Sequence, residues 1–175
     1  MAHIRQENTA DYDAVHSVIE AAFANVPYSD QSEPQLVKRL RTSDAFIPEL
    51  SLVAEVDGRI VGHILITKIQ IKDGQREVPS LALAPVSVHP SHQGQGIGGA
   101  LIRASHDIAR TLGHQSIILL GHEDYYPRFG YRRTADFGIS LPFEAPPENC
   151  MVIELETGSL SGVQGIVQYP GAFME

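Results

Sequence analysis

The sequence has no tryptophan, a single cysteine and no long hydrophobic run, and each absence limits what the protein can be. Because Cys150 is alone, no internal disulfide can form, and we expect a small buried hydrophobic residue rather than a nucleophile. The sequence contains no run of about 18 apolar residues, the length that a membrane-spanning helix needs. Its first residues do not resemble a signal peptide. We therefore expect a soluble, cytoplasmic protein with no membrane partner.

Positive charge is also scarce, since 13 lysines and arginines face 21 aspartates and glutamates, for a net charge of −8. An acidic surface argues against a nucleic-acid partner and is compatible with cationic or amine substrates. A hydrophobic fraction of 43% can build a core in a chain of 175 residues. We predict a single domain over 1–175, with its core at about 3–155 and a C-terminal extension at 156–175.

Hydrophobic periodicity predicts an α/β (α+β) fold with a mixed, mostly antiparallel central sheet flanked by helices. Thr9 is the expected N-cap of the first helix, and Asp57-Gly58 is a strong hairpin turn. The fully apolar strand after the third helix indicates a parallel crossover. In chain order we expect a strand near 3–5, helices 10–24 and 32–41, strands 52–56, 59–68 and 79–89, helix 97–112, and strands 116–120, 132–134, 151–155 and 162–170.

The strand before the third predicted helix changes phase. Apolar residues take odd positions up to Leu83 and even positions from Val86 onward, and Ala84-Pro85 lies at the change. A proline at a one-residue phase shift favours a β-bulge. A bulge leaves backbone groups unpaired, which can bind an extended amide-bearing ligand, although many bulges bind nothing.

A glycine-rich turn, Gln93-Gly94-Gln95-Gly96-Ile97-Gly98-Gly99, joins the strand Val86-Ser87-Val88 to a periodic helix. The first backbone N–H groups of a helix and its dipole favour an anion, and glycines let the ligand approach closely. The turn therefore predicts a site for a phosphate-bearing cofactor.

The turn fits two motifs. Gly94-x-Gly96-x-x-Gly99 matches the dinucleotide-binding fingerprint G-x-G-x-x-G. Glu123 follows the next predicted strand, roughly where the acidic residue that binds the ribose would lie. The context opposes this match, because residues 89–93 separate the strand from the turn and the preceding strands are antiparallel. A Walker loop would require Gly-Lys-Ser/Thr, which this turn does not contain.

The second motif is Gln93-x-x-Gly96-x-Gly98, combined with the bulged strand and Tyr126-Pro127-Arg128-Phe129-Gly130-Tyr131. With these three features the chain resembles the GNAT (Gcn5-related) N-acetyltransferases. The resemblance implies the GNAT fold, in which the turn binds the coenzyme A pyrophosphate and a bulged fourth strand pairs with pantetheine. It implies that Tyr126 approaches the thioester sulfur. The short segment before Tyr126 departs from the family pattern, so Tyr125 is the alternative.

The resemblance thus implies acetyl-CoA as cosubstrate, Tyr126 as catalytic residue and no metal. His89 and His92 could pair on a metal, but no third ligand has a recognisable spacing. The implied cofactor-binding residues are Val86, Ser87, Val88, Gln93, Gly94, Gln95, Gly96, Ile97, Gly98, Tyr126 and Phe129.

The implied reaction is direct transfer of an acetyl group to an amine of a small molecule or peptide. The acceptor could be an amino acid, a polyamine, an antibiotic amine or a protein N-terminus, in a pocket built by 25–34 and the chain after Phe143. Family members are often homodimers. A catalytically silent coenzyme A-binding module and a dinucleotide-dependent oxidoreductase are the alternatives. The candidates for the general base are Glu33, Glu55, His89, His122 and Glu123.

Overall fold

Over residues 2–174, the computed structural model has nine strands in one sheet and four α-helices. Met1 and Glu175, the ends of the predicted domain, lie outside the described residues. The strands are β1 His3–Gln6, β2 Ser51–Val56, β3 Arg59–Asp73, β4 Arg76–Val88, β5 Ser116–Leu120, β6 Arg132–Arg133, β7 Ile139–Ser140, β8 Cys150–Glu154 and β9 Gly165–Gln168. The helices are α1 Tyr12–Phe23, α2 Glu33–Arg41, α3 Ile97–Thr111 and α4 Gly171–Met174.

The strand order is β1-β2-β3-β4-β5-β8-β6, and β9 pairs with the outer half of β3 and with β7. In the described chain, β4–β5 and β7–β9 are the parallel pairings and the rest are antiparallel. The prediction of a mixed, mostly antiparallel sheet flanked by helices is therefore confirmed. No helix within 2–174 is both long and apolar enough to cross a membrane.

Two local predictions need correction. Thr9 does not cap α1: Asn8 caps a 3₁₀ turn that leads into the helix, because the Asn8 side chain accepts from the Ala10 amide while Asp11 accepts from the Asn8 amide. A 3₁₀ turn at Thr9–Asp11 then precedes α1. The hairpin of β3 and β4 is longer than predicted, because regular pairing continues to the Asp73↔Arg76 pair at its turn.

Helices cover both faces of the sheet. On one face α3 packs Leu101 and Ile102 against a core that includes Ile64 and Ile66 of β3. On the other face α1 and α2 pack against Val53 and Leu65. Alternate strand residues therefore serve opposite cores, as the pleat requires.

The bulge lies where the phase shift predicts it. Ile64 pairs with Val86 and Ile66 pairs with Leu83, so one residue of β3 faces the two residues Ala84-Pro85 of β4. On its other side β4 pairs with β5 only at Leu81 and Ala82, after which the two strands separate. Among the described strands, none pairs with this edge of β4 beyond the bulge.

Candidate functional site

A groove of about 540 Å³ opens beside the free edge of β4. Its walls are the end of β4, the glycine-rich turn, the first turns of α3 and an aromatic 3₁₀ turn at Tyr126–Phe129. The strand edge offers unpaired backbone groups, and the start of α3 offers free amides. The groove therefore places both kinds of backbone donor along one path.

The glycine-rich turn is held in a conformation that glycine adopts most easily. Gly94 has φ +77° and Gly96 has φ +83°. A Cβ built at either would meet no atom within 4 Å, so backbone conformation rather than crowding requires glycine here. Gly96 is the N-cap of α3, and its lack of a side chain leaves the first-turn amides open to a ligand. The side-chain amide of Gln93 donates a hydrogen bond to the Val88 carbonyl at 2.9 Å and so connects the turn to β4.

Two further glycines let the aromatic turn close on α3. A Cβ at Gly98 would lie 3.2 Å from the Tyr125 hydroxyl, and a Cβ at Gly99 would lie 3.3 Å from Phe129. Side chains at these positions would push the aromatic turn away and widen the groove.

The groove concentrates positive charge in an acidic protein. Arg103 of α3 stacks on Phe129, and Arg128 stacks on Tyr125, each with its guanidinium 4.8 Å from the ring centre. No aspartate or glutamate of the described chain lines the groove. Sequence reasoning missed both arginines, although the i, i+4 spacing from Gly99 to Arg103 could have identified one of them.

The structure brings together most, but not all, of the residues that the sequence singled out. Ser87 is 2% exposed on the opposite face of the sheet, so only its backbone can reach a ligand in the groove. Gln95 is exposed and outside the groove, and Tyr126 lines an adjoining cavity instead. The groove itself is lined by Val86, Val88, Gln93, Gly94, Gly96, Ile97, Gly98 and Phe129, together with Tyr125.

The adjoining cavity has a volume of about 720 Å³ and shares Val86 and Tyr125 with the groove. Its walls come from the end of α1, the α1–α2 loop, α2, the bulge, the segment after β5 and the loop before β8. Both regions expected to build an acceptor pocket, 25–34 and the chain after Phe143, contribute to it.

Tyr126 is half-buried in the wall of this cavity. Its ring rests against Gly121, where a Cβ would lie only 2.8 Å from Cδ2 of Tyr126, and it meets the Tyr125 and Tyr131 rings edge-on. Burial raises the pKa of Tyr126 well above its usual value, and burial raises the pKa of Tyr125 as well. Both phenols are therefore protonated at neutral pH and can donate hydrogen bonds.

Three of the candidate bases line the cavity and two do not. Glu33, His122 and Glu123 line the cavity. Glu55 instead accepts from Arg5 at 3.0 Å on the β1–β2 edge, and His89 bonds to Ser91 in the turn after β4.

The structure supports neither a metal site nor a nucleophilic cysteine. Within 2–174 no group of three histidine, cysteine or acidic side chains could hold a metal ion. Burial raises the pKa of the Cys150 thiol, which makes it a poor nucleophile.

Comparison with known proteins agrees with the fold. Residues 3–134 match the family model described as an acetyltransferase (GNAT) domain. The uncharacterized N-acetyltransferase YjhQ of Escherichia coli is 41% identical over 119 residues, which are 67% of this chain and 65% of that relative. The chain thus spans just under two thirds of that relative's length.

Two solved structures resemble the whole chain. A GNAT family acetyltransferase from Brucella melitensis, in complex with acetyl-CoA, is 37% identical with a TM-score of 0.81, covering 99% of this chain and 98% of that one. The GNAT family N-acetyltransferase YhbS of Escherichia coli, in complex with CoA, is 26% identical with a TM-score of 0.86, covering 99% and 92%.

Proposed function

Because the chain belongs to the GNAT family of acetyltransferases, we propose that it transfers an acetyl group from acetyl-CoA directly to an amine of a small molecule or peptide. The observation that carries this proposal is the free, bulged edge of β4 next to the open N-terminus of α3 in one cationic groove. The Brucella melitensis and Escherichia coli relatives, with acetyl-CoA and CoA, support the choice of cosubstrate.

The residues of the groove fit coenzyme A. The amides of 93–98 suit a pyrophosphate, and Arg103 and Arg128 can balance the charge of further phosphates. The backbone of Val86-Ser87-Val88 can pair with the amides of an extended arm, as a further strand would. Gln95 and Ser87 would act through their backbones alone, and Phe129 would close the groove.

We assign Tyr126 the role of the hydrogen-bond and proton donor at the reacting end. Acetyl-CoA supplies an acetyl group activated as a thioester. Burial raises the pKa of Tyr126 and keeps its phenol protonated, so that it can donate a hydrogen bond to the departing sulfur and, when aligned with it, a proton. Glu33, His122 and Glu123 border the same cavity, and we expect the acceptor of the amine proton among them.

A charge placed in the turn tests the binding site. Gly98→Glu should abolish acetyl-CoA binding, because a carboxylate would stand where the pyrophosphate belongs. Gly171→Glu is the matched control, since a Cβ there meets nothing within 4 Å. At 100 times its dissociation constant, acetyl-CoA should stabilise the wild type and the control by about 2.7 kcal/mol in thermal unfolding, and Gly98→Glu by almost nothing. Equal affinity in Gly98→Glu would contradict the placement.

The alternatives give different results in the same assay. A dinucleotide-dependent oxidoreductase would be stabilised by NADH or NADPH rather than by acetyl-CoA. A silent module would bind acetyl-CoA but release no thiol with any amine.

A further inference from the structure

The groove and the cavity that meet at Tyr125 have opposite charge. The groove is lined by Arg103 and Arg128 without a carboxylate, whereas the cavity is lined by Glu33, Glu123 and Glu148 without a lysine or arginine, all within the described chain. An anionic acceptor would meet like charge throughout this cavity.

The negative charges of the cavity carboxylates are not neutralised by ion pairs within the described chain. Glu33 accepts from the Ser29 hydroxyl at 2.8 and 2.7 Å, which orients it without neutralising it. Neither Glu123 nor Glu148 forms an ion pair with any residue in 2–174. Three negative charges exceed what one ammonium group of an acceptor would balance.

Between the carboxylates the walls are apolar and aromatic. Phe23, Leu36 and Leu83 line the interior, and Tyr28 and Leu120 remain 89% and 50% exposed at the cavity. Large exposed apolar side chains at a cavity of this volume are typical of a surface that a ligand covers. Tyrosine faces also attract cations.

We propose that the acceptor is a diamine or polyamine, with a hydrocarbon body and a second cationic group but no carboxylate. This inference rests on the proposed function, since it assigns the chemical class of substrate to the cavity beside the acetyl-CoA groove. One nitrogen reaches the junction at Tyr125 and Val86, and a second lies among the carboxylates.

The chemistry is balanced by groups of the cavity and by acetyl-CoA. The reacting ammonium gives a proton to a carboxylate, directly or through water, and its nitrogen forms a bond to the acetyl carbon. The carbon–sulfur bond breaks, and the sulfur takes a proton from Tyr126. The nitrogen, now bonded to the acetyl carbon, gives a second proton to water. Tyr126 regains a proton from solvent and the carboxylate releases the first one, so that one proton is released in all. The products are an N-acetylated amine and the free coenzyme A thiol.

Three acceptors with the same hydrocarbon chain test the inference: 1,6-diaminohexane, hexylamine and 6-aminohexanoate, which end in a cation, a methyl group and an anion. Thiol release at saturating acetyl-CoA gives kcat/KM for each. We expect the kcat/KM of the diamine to exceed that of hexylamine by about tenfold, after division by two for its two equivalent amines. We expect 6-aminohexanoate to have the lowest kcat/KM. Equal values, a preference for 6-aminohexanoate, or no reaction with the diamine would overturn the inference.

Acetyl-CoA binding, measured separately by thermal unfolding, keeps the two proposals apart. If acetyl-CoA does not bind, the proposed function itself fails. If it binds while the acceptor order is reversed, only the substrate class fails.

Variants locate the effect in the cavity. Glu123→Gln combined with Glu148→Gln should reduce the preference for the diamine over hexylamine by about tenfold, with acetyl-CoA binding unchanged. Asp107→Asn is the matched control, because Asp107 is an exposed carboxylate on α3 outside both cavities, and it should keep the wild-type preference. An unchanged preference in the double variant would refute the role of these carboxylates.

Discussion

At the scale of single residues, two neighbouring tyrosines take different positions where the groove meets the cavity. Tyr126 lies in the cavity alone, against Gly121, whereas Tyr125 lines both spaces and brings its hydroxyl close to Gly98. Burial keeps both phenols protonated, because it raises the pKa of each. They differ therefore in what they can contact rather than in their charge.

Phenylalanine substitutions separate the two roles. Tyr126→Phe should lower kcat by about 10²-fold while leaving the KM for acetyl-CoA nearly unchanged, because only the proton donor is lost. Tyr125→Phe should instead change acetyl-CoA affinity and leave kcat within a few-fold. Steady-state kinetics with an accepted amine distinguish them, and a larger loss of kcat in Tyr125→Phe would reverse the assignment.

The residues that sequence reasoning found are those whose role is local. The turn at 93–98 could be predicted from the spacing of its glycines, because the conformation of a turn and the start of a helix depend on a few consecutive residues. Arg103, Arg128 and Glu148 were missed because the groove and the cavity that they line are built from segments distant in sequence, even though the spacing from Gly99 hinted at Arg103. Their roles depend on how the aromatic turn and the loop before β8 close, which no local pattern encodes.

At the scale of elements, β4 is the strand on which the site depends. Its bulge was predictable, since Ala84-Pro85 interrupts an alternating pattern. Its separation from β5 beyond Ala82 was not, because it depends on the register of a parallel pairing made across the whole of α3.

Removing the bulge should separate folding from binding. Deletion of Pro85 leaves one residue of β4 opposite Leu65, so the β3–β4 ladder becomes regular and the fold should persist. The edge facing the groove would straighten, and loss of two backbone hydrogen bonds at about 1 kcal/mol each should weaken acetyl-CoA binding by at least about tenfold. Calorimetric titration of the folded variant, checked by circular dichroism, measures this. Wild-type affinity would show that the bulge is not needed.

At the scale of the whole molecule, the segment after 155 belongs to the same sheet as the core. β9 pairs with β3, and Leu160, Val163 and Val167 join the core cluster of Ile69 and Ile71. We propose that 1–175 unfolds as one cooperative domain rather than as a core with an independent extension.

Adjacent residues of β9 provide a matched test of this unit. Val167 is 1% exposed and Ile166 is 55% exposed. Val167→Ala should lower the free energy of unfolding by about 2 kcal/mol, and Ile166→Ala by less than about 0.5 kcal/mol. Urea unfolding followed by two probes should show a single transition in both. A separate early transition in Val167→Ala would mean that the tail unfolds by itself.

The free edge of β4 also bears on solubility. An open strand edge usually invites another chain to add to the sheet and begin aggregation. Here the edge lies in the groove walled by α3 and the aromatic turn. We expect these walls to admit a single extended chain and to hinder a strand that carries neighbours of its own, which would let this fold keep a binding edge in its sheet with less risk of polymerisation.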